Sequence, residues 1–430
     1  MSHLAAPEDD ALASPTPIDA IDRVDPDVAD ILRQEAQRQA STLELIASEN
    51  HVSQAVLQAA GSVMTNKYAE GYPGARYYGG CRFYDEVEQL AIDRACELFG
   101  CSYANVQPHC GANANLGVML GIMQPGDTFL SLNLASGGHL SHGMKLNLSA
   151  KFYNPVHYEL GSDELIDFDD VRAKAKQHKP AVIMCGYSAY PRTIDFAKFR
   201  EIADEVGAML WADIAHIAGL VAGGSHPSPF PHCHVVSTTT HKTLRGPRAG
   251  LILADDAELG KKLNRGVFPG SQGGPLMHIV AAKAVAFAEA LTDDFKQYAH
   301  QIVKNAQSLA EGLTSHGYRL VSGGTDNHLC LVDLRDRDAD LTGDEAEQAL
   351  EAAGIITNKN GVPNDPRPPK VTSGIRLGTA ALTTRGLKEE DFKDVASLID
   401  SAIDARREQR KLAAIREEVA AMADKFPMPH

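Results

Sequence analysis

The chain has 430 residues, enough for a sizeable core and, on length alone, for two or three domains. Hydrophobic residues make up 44% and charged residues 23%, ordinary for a soluble globular protein, while a formal net charge of −15 argues against a general nucleic-acid or anionic-membrane surface. Seven cysteines without a CxxC pair, no secretory signal and no apolar run of membrane-spanning length predict a reduced, cytoplasmic protein.

Residues 1 to about 23 are acidic, rich in Ala, Pro and Asp and without an apolar period, and read as a mobile tail. A helix is predicted from Asp27 to Gln39, where Val28, Ile31 and Leu32 recur at helical spacing behind an Asp-Pro start. Tyr103 to Gly121 reads as a strand, a tight turn through Cys110, Gly111 and Ala112, and a helix whose first turn offers free N–H groups to an anion. Between about residues 100 and 255, short apolar strands are predicted at Thr128 to Asn133, Ala181 to Tyr187, Ala208 to Asp213, His234 to Thr240 and Ala249 to Ala254. Helical runs at Asp163 to Gln177 and Phe196 to Val206 lie between them, which predicts a mostly parallel sheet covered by helices on both faces. The turn from Pro269 to Pro275 opens a helix that runs to about Leu291 and continues into Phe295 to Ser315, before strands and helices mix as in an α+β unit. The predicted division is a tail and helical arm over residues 1–45, a large α/β domain over 46–291 and a small α+β domain over 292–430.

Ligand sites in open α/β sheets sit past the carboxyl ends of the strands. There the segment VVSTTTHKTLRGPRAG, Val235 to Gly250, presents a single lysine, Lys242, after an uncharged run. Burial and the nearby cations Arg245 and Arg248 would favour its neutral amine, the form that attacks a carbonyl; the alternative is a lysine that merely closes a loop. Asp213 ends another apolar strand 29 residues earlier, suited either to a pyridine nitrogen or to capping a helix. Neither glycine-rich turn fits a GxGxxG or Walker pattern. No metal is predicted, because His226, His232, Cys233 and His234 lack the spacing of structural zinc motifs; His139 and His142 are three apart and would share a helical face. The basic residues Arg406, Arg407, Arg410 and Lys411 read as a solvated helix face.

Seven segments in one order carry a resemblance to serine hydroxymethyltransferases, fold-type I pyridoxal phosphate enzymes with an aspartate aminotransferase-like α/β fold. They are LELIASEN (Leu43 to Asn50), TNKYAEGYPGARYYGG (Thr65 to Gly80), GGHLSHG (Gly137 to Gly143), TTTHKTLRGPR (Thr238 to Arg248), FPGSQGGP (Phe268 to Pro275), SGGTDNHL (Ser322 to Leu329) and VTSGIRLGT (Val371 to Thr379). The resemblance implies that Lys242 carries pyridoxal 5'-phosphate as a Schiff base, with Asp213 on the pyridine nitrogen, His139 stacked on the ring and His216 at the phenolic oxygen. The phosphate would rest on Cys110, Gly111, Ala112 and His241, and on Tyr68, Gly273 and Gly274 from a partner subunit, so a homodimer or tetramer of it is expected. Arg376 would clamp the substrate carboxylate with help from Ser48, and Tyr77, Tyr78, Thr239 and Arg248 would border the reacting centre. Glu70 would carry a proton between serine's hydroxymethyl oxygen and tetrahydrofolate, the co-substrate, which would lie over Leu134, Gly138, His139 and Leu140 and reach Asn360 and Lys370.

The implied reaction converts L-serine and tetrahydrofolate to glycine and 5,10-methylenetetrahydrofolate. A folate-independent relative, such as a threonine aldolase, an alanine racemase or an α-methylserine hydroxymethyltransferase, is the alternative enzyme; a non-catalytic binder is opposed by the joint presence of Lys242, Asp213 and Arg376. The chain departs from the family pattern in having Cys110, Gly111, Ala112 and Asn113 where Ser-Gly-Ser-Gln is usual, Ser136 where a histidine is common, and Lys370 where phenylalanine is frequent. Losing the two hydroxyls would cost roughly 1–3 kcal/mol of cofactor binding.

Overall fold

The computed structural model describes residues 18–429. The expected tail lies outside them up to residue 17, but Asp19–Val24 is helical, which corrects the expectation for that stretch. None of its residues is buried, so no apolar period marks it. Asp25 then caps the helix Pro26–Ser41 by accepting a hydrogen bond from Val28 N (3.1 Å), matching the predicted helix.

Seven strands form the central sheet: β1 (Tyr103–Asn105), β2 (Thr128–Leu132), β3 (Asn154–Tyr158), β4 (Val182–Cys185), β5 (Met209–Asp213), β6 (Val235–Thr239) and β7 (Gly250–Ala254). Their order is β1-β7-β6-β5-β4-β2-β3. Strands β2 to β6 pair in parallel, and β7 runs antiparallel to both β6 and β1. The strands β4, β5 and β7 are near-continuous apolar runs because both faces are covered, whereas the edge strand β3 is polar and partly exposed. Alternate residues enter different cores: Leu130, Ile183, Leu210, Val236 and Leu251 on one side, Phe129, Val182, Trp211, Val235 and Ile252 on the other. The expected α/β class and mostly parallel sheet are what the chain adopts, with strand ends trimmed by one or two residues.

Two predicted helices need correction. The run from Asp163 is a turn, with Glu164 at φ +63°, and the helix begins at Phe168 because Asp167 caps Asp169 N and Asp170 N. Glu164 is held there by Arg319 (2.6 Å), a contact 155 residues away in sequence. The helices Met277–Ala290 and Asp293–Ser315 are separate, because Thr292 caps the second through Phe295 N (3.3 Å).

A second core gathers around the sheet of β8 (Arg319–Leu320), β9 (Leu329–Asp333), β10 (Asn358–Asn360) and β11 (Gly374–Gly378), in the order β8-β9-β11-β10. The helix Asp293–Ser315 serves both bodies, with Phe295 and Ile302 in the first core and Leu309 and Leu313 in the second. Leu43 and Leu45 also enter the second core, and Leu43–Glu44 pairs in parallel with Ile355–Ile356. Leu45 O accepts from Gly378 N (2.7 Å), so the N-terminal segment lies along β11. All seven cysteines are unbridged. Of the basic residues read as a helix face, Arg406 and Arg407 lie in the turn before the helix Gln409–Asp424, which corrects that expectation; Arg406 pairs with Asp338 (2.6 Å), Arg407 with Glu345 (3.9 Å) and Lys411 with Glu408 (2.9 Å).

Gly186, just past β4, sits at φ +108°, and a Cβ there would lie 1.8 Å from the Asp213 carbonyl oxygen. Gly186→Ala is therefore expected to destabilise the fold by about 2–5 kcal/mol through overpacking and backbone strain. Urea unfolding checks this, and an unchanged midpoint would contradict the close approach of β4 and β5.

Candidate active site

The carboxyl ends of β2, β4, β5 and β6 converge on one buried cavity lined by His139, Ser188, Asp213, His216, Thr239 and Lys242. β5 and β6 are register partners, Asp213 opposite Ser237, so Asp213 ends its strand beside the segment that leads to Lys242. Asp213 is 7% exposed. Its Oδ2 accepts from Asn115 Nδ2 (2.8 Å) and His142 Nε2 (3.0 Å), and its Oδ1 accepts from Ala215 N (3.1 Å). Burial raises the pKa of this carboxyl, but the His142 hydrogen bond and charge, with smaller contributions from His139 and Asn115, hold it well below the usual carboxylate range. Oδ1 thus shapes the turn after the strand, but the next helix, Ala218–Ala222, has Ile217 at its N-cap without a side-chain hydrogen bond, so Asp213 does not cap a helix.

Asn115 and His142 were not singled out for this role by sequence. Asn115 stands in the otherwise apolar helix Gly111–Ile122, and a polar side chain on a buried face was the available signal. It also donates to Ser141 Oγ (2.7 Å) and accepts from Ser237 Oγ (2.7 Å), which in turn accepts from Trp211 Nε1 (2.9 Å). His139 and His142 lie in a turn rather than on a helical face, their rings edge-on at 5.5 Å. Burial drives His139 down to about 4, and its Nδ1 lies 2.7 Å from Ser141 Oγ.

Among the described residues, His139, His142 and Asp213 form the one cluster with metal-ligand spacing, their donor atoms within 4.8 Å of one another. These atoms already bond to one another, to Asn115 and to Ser141. His226 and His234 instead accept from backbone N–H groups, of Ile194 (3.3 Å) and Leu210 (2.9 Å), as structural side chains do.

Lys242 lies three residues past β6 and is 8% exposed. Burial lowers its pKa to about 8; Asp213 opposes the shift, and Arg376 and Arg248 add to it. The expectation for Arg245 is corrected: it turns away and stacks on Tyr298 (4.5 Å) and Phe295 (5.6 Å). The Lys242 carbonyl accepts from Asn50 Nδ2 (2.9 Å), and Asn50 Oδ1 accepts from Thr384 Oγ1 (2.7 Å), so the N-terminal segment pins the lysine's backbone. Thr239 is buried and donates to Ala215 O (3.3 Å).

His216 is buried, with Nδ1 3.2 Å from His328 Nε2, and burial pushes it well below its ordinary value. Nδ1 of His241 is buried without a hydrogen-bond partner. Arg376 on β11 reaches across to Ser188 O (2.7 Å) and Asn358 Oδ1 (3.1 Å), and burial lowers it to about 10. It has no carboxylate partner among the described residues. Ser48, half-buried, follows Ala47, which packs on Gly378 two residues beyond Arg376.

At the other end, a Cβ at Gly111 would meet Thr239 Cγ2 at 2.7 Å, so the helix Gly111–Ile122 begins hard against β6. Cys110 caps it with no side-chain hydrogen bond; its thiol donates to Asn113 Oδ1 (3.1 Å), and Ala112 has no hydroxyl to offer. The backbone N–H groups of that first turn are what remain for an anion.

Tyr68, Glu70, Tyr77 and Tyr78 do not line this cavity. Their loop is held by Arg76, which donates to Ala69 O (2.8 Å) and Gly71 O (2.9 Å) and pairs with buried Glu88 (2.6 Å). Glu70 lies against Gly273 and Tyr68 against Gly274. Tyr68 is 59% and Tyr77 75% exposed, and the Tyr68 and Tyr78 rings meet edge-on at 5.5 Å. Arg248 and Lys370 are exposed, as are Leu134 and Leu140 on either side of Gly138. Asn360 ends β10 and donates to Gly361 O (2.7 Å). Ser136 bonds locally, its N–H to Asn133 Oδ1 (2.7 Å) and its hydroxyl to Glu159 Oε2 (3.4 Å).

A family model described as serine hydroxymethyltransferase matches residues 21–399. The chain is 58% identical over 411 residues to the serine hydroxymethyltransferase of Methylorubrum populi, covering 94% of each chain. It is 59% identical over the same length to that of Methylorubrum extorquens strain PA1, again covering 94% of each. With a fold-type I sheet, a buried strand-end lysine and a matching family over most of its length, the chain belongs to the serine hydroxymethyltransferases.

Proposed function

We propose that the family's reaction, L-serine and tetrahydrofolate to glycine and 5,10-methylenetetrahydrofolate, is carried out here with pyridoxal phosphate held covalently on Lys242. The observation that carries this assignment is a buried amine lowered to about 8 in one cavity with a buried carboxylate held ionised. The rest of the cavity fits the group. First-turn amides at Gly111 and the unpartnered His241 Nδ1 suit its phosphate, and His139 suits its ring face. When bound, the cofactor supplies a sink for the electrons released as the serine Cα–Cβ bond breaks.

Asp213 keeps the ring nitrogen protonated, and His142 and Asn115 keep Asp213 ionised. Arg376 takes the amino-acid carboxylate with its planar fork, with Ser48 assisting. His216 faces the phenolic oxygen, and Thr239 and Arg248 border the reacting centre. Glu70 moves a proton between the hydroxymethyl oxygen and the folate, and Tyr77 and Tyr78 position the substrate. Folate lies over Leu134, Gly138, His139 and Leu140 and extends toward Asn360 and Lys370.

The protein is proposed to be cytoplasmic and to act as a homodimer, with Tyr68, Glu70, Gly273 and Gly274 completing the partner's site. The absence of these residues from the chain's own cavity and the exposed tyrosines of that loop support this. In this reading the chain divides near residue 291, behind an arm ending near residue 45.

Borohydride reduction of the holoenzyme followed by peptide mapping should find the pyridoxyl group on Lys242. Cofactor uptake by the stripped enzyme should rise roughly fivefold from pH 7 to 8 and less than twofold from 8 to 9, because the neutral amine reacts and dominates above the lowered pKa. A tenfold gain in the second interval would signal an ordinary lysine. Arg376→Lys should raise the serine KM roughly 10–100-fold with a smaller change in kcat, since a point charge replaces a bidentate fork; an unchanged KM removes Arg376 from the carboxylate. Mixing inactive Lys242→Ala and Glu70→Gln chains should restore about a quarter of wild-type activity if each site draws on both subunits, and none if it does not.

A further inference from the structure

Lys283, on the helix Met277–Ala290, is 1% exposed and has no role in the chemistry above. Its ammonium donates to three backbone carbonyls: Val106 (2.6 Å), Gly250 (2.7 Å) and Pro108 (3.2 Å). These oxygens bracket the loop that runs from β1 into the turn at Cys110 and Gly111. Gly250 N donates to Pro108 O (3.0 Å), tying the same loop to β7. From the outer side Gln272 closes a two-bond clamp, accepting from His109 N (3.0 Å) and donating to Gln107 O (3.0 Å).

We propose that Lys283 is a positioning residue for the phosphate end of the cofactor site: its buried ammonium ties three carbonyls together, which fixes the loop leading into the turn at Cys110 to Ala112 and places a positive charge behind that turn. The inference rests on the cofactor reading above. It has special weight in this chain because Cys110 and Ala112 supply no hydroxyls, so the backbone amides of the turn carry more of the anion's hold. The peptides whose carbonyls it holds carry the N–H groups of Gln107, His109 and Leu251, of which the first two donate to Asn105 Oδ1 and Gln272 Oε1, so what Lys283 adds to the anion end is the fixed position of the turn and its charge. Burial lowers Lys283 to about 7. The charged and titratable groups facing it are Glu88, which favours its charge, and His109 and Cys110 at the turn.

The test compares pyridoxal phosphate with pyridoxal, which lacks the phosphate, on the full chain stripped of cofactor. Dissociation constants would be measured for wild type, Lys283→Met and Lys283→Gln, with circular dichroism to establish folding. Lys283→Met should weaken pyridoxal phosphate roughly tenfold or more, the loss typical of charged hydrogen bonds, while pyridoxal binding stays within about twofold of wild type. Lys283→Gln, which keeps donors but no charge, should fall between. Equal losses for both ligands, or no loss, would overturn the assignment, as would failure of both variants to fold, since Lys283 would then serve the fold alone. Borohydride mapping of wild type separates the two readings. No adduct on Lys242 defeats the cofactor assignment itself, whereas an adduct without phosphate-selective loss in Lys283→Met defeats only this inference.

Discussion

The site depends on keeping a carboxylate charged at the end of a buried strand. An isolated buried carboxyl would take up a proton, because burial disfavours the ion by several kcal/mol. Asp213 avoids this through three hydrogen bonds, one from the backbone of its own turn and two from side chains on other segments. Asn115 comes from the helix Gly111–Ile122, and His142 from the loop after β2. The buried carboxylate is therefore fixed to both the helix Gly111–Ile122 and the loop after β2.

Lys242 has the complementary problem. Its segment leaves β6 beside Asp213, and its amine is buried among the cations Arg376 and Arg248. The shift to about 8 leaves a larger fraction of the amine neutral near pH 7 than an ordinary lysine has. Arg376 belongs to the other sheet and crosses to Ser188 O, so this arginine joins the two bodies of the molecule. The N-terminal segment joins them again, with Leu43 and Leu45 in the second core and Asn50 on the Lys242 carbonyl. Moving the bodies apart would disturb both the carboxylate clamp and the lysine.

Much of this was legible in residues. Apolar runs of strand length with helices between them identified β2 and β4 to β7 to within two residues, because strands buried on both faces are mostly apolar, whereas the edge strand β3, Asn-Pro-Val-His-Tyr and partly exposed, was missed because it has no such run. The helix Phe196–Val206 was located to the residue, since Asp195 and Gly207 punctuate it at cap positions. The helix Asp19–Val24 left no signal because it buries nothing. The turn before Phe168 was misread because Glu164 is held there by Arg319, and a contact across 155 positions leaves no trace in local pattern.

The sequence by itself determined which chemical groups the protein has: one lysine after an uncharged strand, one aspartate ending another, and motifs whose order identifies the family. These are local properties, set by residue type and period. Tertiary structure alone decided which of those groups share a cavity and in what charge state, because pKa values and hydrogen-bond partners depend on distances across the fold. It brought Asn115 and His142 to Asp213, turned Arg245 away from Lys242, put Arg376 in its place, and set Lys283 against the loop that leads into the helix Gly111–Ile122.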